Sequence, residues 1–156
     1  MELKSPPDRA AHDPTAAGEA LRQLVLEIFR LNGALLRHGA ALTAPVGQTQ
    51  ARWQVIGAVG EETRTVPQIA RRMGMARQSV QRIADLLVGD GIVAYQPNPD
   101  HARSPLLVLT PEGAELETRL AELGRHWAAG IADGLPAHEL ERTVGTIREI
   151  TRRLDN

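Results

Sequence analysis

The sequence predicts a mainly α-helical fold that includes one small β-hairpin. Aromatic residues make up only 3% of the chain, so the core must be built from Leu, Ile, Val and Ala, which favours helices. Apolar residues recur every three or four positions along most of the chain, which is the spacing of one helix face. Two β-rich runs, separated by the loop sequence PNPDHARSP, depart from that spacing and predict the hairpin.

Length and composition bound the class of protein. A chain of 156 residues with 42% hydrophobic and 24% charged residues is typical of one soluble globular domain. No apolar run approaches the roughly 18 residues that a membrane helix needs, and the N-terminus lacks the apolar centre of a signal peptide. These features predict a cytoplasmic protein without a membrane partner. The absence of cysteine excludes disulfides and thiol catalysis.

The N-terminal part is predicted to hold a tail and one long helix. Residues 1–15 are rich in Pro, Asp and Ala without periodicity, so we expect a flexible tail. Residues 16–41 should be helical, and the sequence Thr-Ala-Pro-Val-Gly at 43–47 should end that helix. The apolar face of the helix comprises Leu21, Leu24, Val25, Ile28, Leu31 and Leu35.

Three shorter helices are predicted next. The first covers residues 49–59 and is followed by a turn at 61–64. The second begins at Val66 and ends at Gly74, and the third spans residues 76–88. Their inward-facing residues are Trp53, Ile56 and Val59, then Ile69, Ala70 and Met73, and then Val80, Ile83, Ala84 and Leu87.

The remaining chain is predicted to form the hairpin and two further helices. Residues 92–96 and 106–109 are the two β-rich runs. Thr110 can cap the following helix, Pro suits its first turn and Glu favours its positive end, so a helix should run to about Asp133. Gly-Leu-Pro at 134–136 should separate it from the last helix. That helix carries a heptad-like series, Leu140, Val144, Ile147, Thr151 and Leu154.

The first and last helices carry apolar stripes outside the central segment. These stripes could pack on each other within one chain or form the interface of a dimer. We favour the dimer, because the last series is longer than one domain edge needs. The predicted interface comprises Leu21, Val25, Ile28, Leu140, Val144, Ile147 and Leu154.

The charge is unevenly distributed, although the formal net charge is only −1. Residues 64–82 contain five arginines and no acidic residue. Two short helices that meet at Gly74, followed by a ribbon, have the form of a device that enters a major groove of double-stranded DNA. The alternative is that the outward face of the second helix is simply solvated.

The residue types on that face favour DNA over a solvated surface. Arg paired with guanine and Gln paired with adenine are standard major-groove contacts. We therefore predict base contacts from Arg77, Gln78, Gln81 and Arg82, with Ser79 meeting a phosphate or water.

Three more arginines and one aspartate extend the predicted DNA site. Arg71 and Arg72 could bind phosphates or be merely solvated, and both roles are equally consistent with the sequence. At the ribbon tip, Arg103 could enter a minor groove or form a salt bridge with Asp100 that shapes the turn. Both roles of Arg103 are compatible.

Residues 45–112 resemble the winged helix-turn-helix of the MarR family of bacterial transcriptional regulators. The matching pieces are TQARWQVIGAV, VPQIARRMGMARQSVQRIADLLVGDGIV and NPDHARSPLLVLTPEG. Asp100 and Arg103 fall on the Asp and Arg of the family's wing signature. The resemblance implies N- and C-terminal dimerisation helices at 16–44 and 111–156 around a DNA-binding domain at 45–110. It also implies a homodimer on pseudo-palindromic DNA, usually a repressor released by a small ligand.

One departure from the family pattern concerns the start of the reading helix. The position before Arg77 is often Ser or Thr in the family and is Ala76 here. The loss of a hydroxyl cap costs on the order of 1 kcal/mol.

The family resemblance also places an effector between the dimer helices and the DNA-binding lobe. Candidates near that place are Phe29, Arg37, His38, Arg52 and Trp53. Core packing is the better expectation for the two aromatic residues, and His38 could equally satisfy helix-end carbonyls. Arg37 and His38 could neutralise an anionic aromatic ligand.

Other functions have less support in the sequence. It contains no phosphate loop or nucleophile motif, so we expect no enzyme, and we expect no metal or cofactor. A winged helix used for protein contact would favour an apolar or acidic reading face, whereas this face is basic and rich in amides. RNA binding remains an alternative to DNA binding.

Overall fold

A computed structural model describes residues 14–155, which form six α-helices and one three-stranded sheet. In chain order the elements are α1 (Pro14–Thr43), a short 3-10 helix (Ala44–Val46), α2 (Gln50–Glu61), β1 (Arg64–Thr65), α3 (Val66–Met73), α4 (Arg77–Gly89), β2 (Val93–Gln96), β3 (Leu106–Leu109), α5 (Pro111–Ala132) and α6 (Ala137–Leu154). The predicted tail covers residues 1–15, of which residues 1–13 lie outside the described part of the chain. Its last two residues belong to α1, so the tail was predicted two residues too long.

None of the helices within residues 14–155 is long and apolar enough to cross a membrane.

The chain divides into two compact units, residues 1–54 and residues 55–156. The division falls inside α2, whereas the sequence placed a boundary at residues 44/45. The functional division into dimerisation and DNA-binding regions stays a prediction.

In the first unit, the turn between α1 and α2 depends on three small residues. The hydroxyl of Thr43, the last residue of α1, donates to the carbonyl of Gly39 at 2.8 Å. Gly47 ends the 3-10 helix with φ 67°, a left-handed conformation that glycine adopts without strain. Gly39 also leaves room for the Gln50 side chain, whose Cδ would lie only 2.6 Å from a Cβ at that position. The predicted helix break at 43–47 is confirmed.

In the second unit, one apolar core joins the helices to the sheet. Its largest fully buried side chains are Val55 and Ile56 of α2, Ile69 of α3, Val80 and Leu87 of α4, Val93 of β2, Leu107 of β3 and Leu120 of α5. In α3 and α4 the fully buried residues Ile69, Val80 and Leu87 are among those that the helical periodicity predicted, whereas in α2 it predicted Ile56 and missed Val55. The core fixes α3, α4 and the hairpin on one scaffold.

The sheet has the strand order β1-β3-β2, and both pairings are antiparallel. The β2–β3 hairpin is confirmed, with Val93 opposite Leu109 and Gln96 opposite Leu106. Strand β1 was missed, because the sequence predicted a turn that included Arg64, and Arg64 instead pairs with Leu107. A strand of two residues has no periodicity of its own and exists only because β3 offers it hydrogen bonds.

Helix α5 starts as the sequence predicted, next to the turn that precedes β2. Thr110 is its N-cap and accepts a hydrogen bond from the Gly113 amide at 3.0 Å. Gly113 has no Cβ, and any Cβ there would collide with the carbonyl oxygen of Ile92. Thr110 also donates to the carbonyl of Gly91 at 2.6 Å, which ties the start of α5 to the turn before β2.

Candidate nucleic-acid interface

Helix α3 and the turn after it are fixed by local hydrogen bonds. The Thr65 side chain accepts from the Gln68 amide while the Gln68 side chain accepts from the Thr65 amide, which is a capping box. The helix ends at Gly74, whose φ of 60° is left-handed. The Met75 amide donates back to the carbonyl of Ala70 at 3.0 Å, and only Gly74, Met75 and Ala76 separate the two helices.

The start of α4 differs from the start of α3. Ala76 is the N-cap and no side chain caps the helix, as the sequence predicted. Its carbonyl accepts from the amides of Ser79 and Val80 at 3.0 and 3.2 Å. The first amides of a helix have no partner within the helix, so the positive end of α4 stays open to an anion.

The buried stripe of α4 determines which side chains face outward. Val80, Ala84 and Leu87 are fully buried, and Ile83 is half-buried. The opposite face therefore presents the predicted contact residues, all exposed: Arg77, Gln78, Ser79, Gln81 and Arg82. The structure brings these five residues together on the first turns of one helix.

Two of the five arginines in residues 64–82 have acidic partners outside that range. Arg64 is held by Glu62 at 2.9 Å and Glu61 at 3.8 Å, and it also donates to the Ala58 carbonyl at the end of α2. Arg72 pairs with Glu61. The count of charges within residues 64–82 therefore overstated the unpaired positive charge, because the acidic partners, Glu61 and Glu62, lie in α2 and in the turn after it.

Arg71, Arg77 and Arg82 carry the remaining positive charge of this region. All three are exposed, and none forms an ion pair within the described part of the chain. Arg71 and Arg77 line one open cavity of about 600 Å³ between α3, the start of α4 and the hairpin loop. Asp100 and His101 of that loop line its other side. Two cations from different helices thus meet at one concave surface.

A hydrogen-bonded triangle joins α4 to the hairpin. The Gln81 amide nitrogen donates to Asp85 Oδ1 at 2.9 Å and to the Tyr95 hydroxyl at 2.7 Å. The Tyr95 hydroxyl in turn donates to Asp85 Oδ1 at 2.8 Å. Partial burial, together with the hydrogen bond to Asp85 and its negative charge, raises the pKa of Tyr95 to about 12. The hydroxyl is therefore protonated, and able to donate, at neutral pH.

The loop between β2 and β3 is shaped by Asn98. Its amide nitrogen donates to the Ser104 carbonyl at 2.9 Å, and its oxygen accepts from the Asp100 amide at 3.0 Å. Asp100 and Arg103 are both exposed, and no ion pair joins them among residues 14–155. The salt bridge that was one of the two possible roles of Arg103 therefore does not form, and a backbone-binding asparagine shapes this loop instead.

The predicted effector residues lie in the first unit. Phe29, Arg37 and His38 are exposed on α1, while Arg52 and Trp53 are half-buried at the start of α2. The expected core packing of Phe29 was wrong, since 68% of the residue is exposed. The Arg52 Nε donates to Gln48 Oε1 at 2.7 Å. Within residues 14–155, no group of three His, Asp or Glu side chains is placed to hold a metal ion.

The predicted dimer residues are largely uncovered. On α6, Leu140, Val144 and Leu154 are exposed, Ile147 is half-buried, and no residue of this helix is buried. On α1, Leu21 and Val25 are exposed and Ile28 is half-buried.

Three residues that shape this candidate surface were missed from the sequence: Asp85, Tyr95 and Asn98. The spacing of Gln81 and Asp85, four positions apart on a helix, could have indicated their contact. Asn98 lies in Pro-Asn-Pro-Asp, where asparagine often binds its own backbone. Nothing in the sequence indicated that Tyr95 would reach α4.

A helix pair joined by a tight turn, followed by a hairpin wing on a three-stranded sheet, defines a winged helix-turn-helix protein. The MarR family model matches residues 47–104. An uncharacterised protein of Mycobacterium tuberculosis strain H37Rv is 39% identical over 132 residues, which cover 85% of this chain and 92% of that protein. The chain belongs to the MarR family.

Solved structures of transcriptional regulators share the fold. BldR from Sulfolobus solfataricus aligns with a TM-score of 0.74 at 17% identity, over 91% of this chain and 99% of that one. CouR from Rhodococcus jostii RHA1, bound to p-coumaroyl-CoA, aligns with a TM-score of 0.75 at 19% identity, over 81% and 90%. A cysteine-to-serine variant of MarR from E. coli, complexed with operator DNA, gives 0.69 at 22% identity, over 89% and 99%. The family and fold are those of transcriptional regulators rather than enzymes.

Proposed function

We propose that this protein is a sequence-specific DNA-binding regulator that acts as a homodimer on a pseudo-palindromic operator and represses transcription until a small effector binds. The observation that carries the proposal is the outward face of α4, where Arg77, Gln78, Gln81 and Arg82 are exposed together. Guanidinium and amide groups are the side chains that pair with the edges of guanine and adenine. The buried stripe beneath them holds that face rigidly.

The arginines divide into those that read bases and those that hold the DNA backbone. Arg77 and Arg82 lie on α4 and are proposed to contact bases, and Ser79 a phosphate or water. Arg71 lines the cavity between α3 and the wing loop, a concave basic surface suited to a phosphate. Arg72 would have to exchange Glu61 for a phosphate, so its contribution should be smaller.

The wing is proposed to follow the DNA backbone into the neighbouring minor groove. Arg103 is exposed at its tip and free of Asp100, and the narrow minor groove attracts arginine. Asn98 holds the loop in shape before DNA arrives, which lowers the cost of ordering it on binding. Asp100 contributes the backbone amide that Asn98 binds.

Dimerisation is supported by the exposed apolar residues of α1 and α6. One winged helix reads a single half-site, and two half-sites roughly one helical turn apart require a second copy. A chain that left Leu140, Val144 and Leu154 in water would forgo the free energy of burying them. A partner copy would cover them.

An effector is supported by the relative CouR, which is bound to p-coumaroyl-CoA. In this chain the proposed contacts are the exposed Phe29, Arg37 and His38 with the half-buried Arg52 and Trp53. They offer aromatic surface and positive charge, which suit a small aromatic or anionic ligand.

A gel-shift titration tests the central proposal. The protein is titrated against the duplex upstream of its own gene and against a random duplex of equal length, at several salt concentrations. Specific binding should be at least about a thousandfold tighter than random binding. Equal affinity for both duplexes would refute specific regulation, and preferential binding of the matching RNA would favour an RNA-binding function.

Arginine variants separate base reading from phosphate binding. Arg77→Ala should cost about 1–3 kcal/mol and relax one base position, because a bidentate guanine contact is lost. Arg71→Ala should weaken all duplexes alike and reduce the salt slope by about one. If Arg77→Ala also weakened every duplex equally, Arg77 would be a phosphate contact.

A further inference from the structure

Gln78 and Gln81 lie one turn apart on the reading face of α4, but their amides are in different states. Gln78 is exposed, and its side chain forms no hydrogen bond within residues 14–155. Gln81 is also exposed, yet its amide nitrogen donates to both Asp85 and Tyr95. The two glutamines of this helix therefore differ in the amide atoms that each can offer to a base.

The orientation of the Gln81 amide follows from the chemistry of its neighbours. A carboxylate only accepts hydrogen bonds, so Asp85 requires the NH₂ side of the amide. The Tyr95 hydroxyl gives its own proton to Asp85 and so accepts the second amide hydrogen. The amide nitrogen is thus engaged by both acceptors, and the carbonyl oxygen is the polar atom of Gln81 that forms no hydrogen bond within residues 14–155.

This limits what Gln81 can recognise. A bidentate contact to adenine needs an amide hydrogen for N7 and the amide oxygen for the N6 amine. Gln81 can supply only the oxygen unless the triangle breaks. In the major groove the exocyclic amines of adenine and cytosine are the donors that an isolated acceptor can meet.

We propose that Asp85 and Tyr95 are positioning residues that make Gln81 a single acceptor, reading the amine shared by adenine and cytosine rather than adenine alone. The proposal rests on the DNA-binding function proposed above. It differs from the expectation for Gln78, which keeps both halves of its amide and can read adenine in the bidentate manner.

The triangle can be tested first without DNA. Tyr95 is the only tyrosine of the chain, so the absorbance of its tyrosinate reports one group. The pKa of Tyr95 should be near 12 in the wild type and should move toward its ordinary value in Asp85→Ala. It will not return fully, because burial is the largest cause of the shift. An identical titration in the two proteins would show that the triangle does not form, and would overturn the proposal.

The DNA test compares base preferences. Preferred duplexes are selected from a randomised pool, and Gln81→Ala identifies the base pair that Gln81 reads. The affinities of the wild type for duplexes with adenine and with cytosine at that position should lie within about threefold of each other. Duplexes with guanine or thymine there should bind roughly tenfold more weakly. The double variant Asp85→Ala, Tyr95→Phe frees the amide and should gain about tenfold preference for adenine over cytosine.

Asp85→Asn is the matched control for charge. It removes the same charge as Asp85→Ala but keeps an oxygen that can accept from Gln81, so it should leave adenine and cytosine equivalent. Both variants should alter salt dependence alike. The position read by Gln78 should not change in any of them.

The outcomes separate this inference from the function on which it rests. A wild type without any sequence preference would refute specific DNA reading and this inference together. A wild type that binds its operator specifically, but already prefers adenine over cytosine as strongly as the double variant, would refute only the inference. Thermal melting of each variant checks that the fold is intact.

Discussion

Helices α4 and α6 have similar patterns of apolar residues and opposite surroundings. In α4 the stripe of Val80, Ala84 and Leu87 is fully buried, and this burial fixes the reading face. In α6 the stripe that includes Leu140 and Val144 remains exposed, and no residue is buried. The same amphipathic pattern thus marks a face that the core of the chain covers in α4 and that stays exposed in α6.

The difference shows how stability is distributed along the chain. Helix α4 is part of a core that joins α2, α3, α5 and the sheet, so its position does not depend on protein concentration. The position of α6 should depend on protein concentration, because most of the stability of a helix in water comes from covering its apolar face.

The largest expected effect is on α4. Leu87→Ala should lower the free energy of unfolding by about 2–5 kcal/mol at every protein concentration, because a fully buried side chain is removed. Leu140→Ala is the counterpart on α6, where the residue is 43% exposed. The loss in free energy of unfolding caused by Leu140→Ala should be small in dilute protein and should grow with protein concentration. Urea unfolding at several protein concentrations measures both changes in the free energy of unfolding. If the change caused by Leu140→Ala did not depend on protein concentration, the apolar face of α6 would be covered by the same chain and not by a second copy.

The next effect concerns the surface of α6. Val144→Asp should raise the dissociation constant of the homodimer by about a hundredfold or more, because an unpaired carboxylate would be buried in the interface. Sedimentation should detect monomers, and operator affinity should fall because each copy then reads one half-site.

The control for this variant is Thr146→Asp, which adds the same charge away from the apolar series of α6. It should leave the dimer intact. Dimers that persist in Val144→Asp would show that this series is not the interface.

The smallest effect compares the starts of α3 and α4. Thr65→Ala removes the capping box of α3 and should destabilise the protein by about 1–2 kcal/mol. Ala76→Ser supplies the cap that α4 lacks and should stabilise it by roughly 0.5–1 kcal/mol. Thermal unfolding measures both. A Ser at position 76 that gave no gain would mean that the open amides of α4 already have another partner, such as water.

Most of the fold could be predicted because its signals are local. The apolar periodicity of the five helices other than α5, the glycine at 74 and the Thr-Pro-Glu-Gly start of α5 each act within a few residues. Strand β1 could not be predicted in this way, since it is defined by pairing Arg64 with Leu107, far along the chain.

The exposure of the candidate site residues on α4 could be predicted, but their hydrogen bonds and ion pairs could not. The exposed face of α4 follows from the buried stripe on its opposite side. Which arginines are free does not follow, because Arg72 meets Glu61 across eleven positions and Arg64 folds back on the end of α2.

The sequence by itself determined the class of fold, the residues on the outward face of α4 and the apolar series of α6, because each depends on side-chain type and on spacing within a helix. Only the tertiary structure decided that Gln81 is held by Tyr95, fourteen positions away, that Asn98 shapes the wing, and that the stripe of α4 is covered while that of α6 is not. Periodicity shows which side of a helix avoids water. The partner of a polar group depends on how distant segments meet, and folding of the whole chain brings them together.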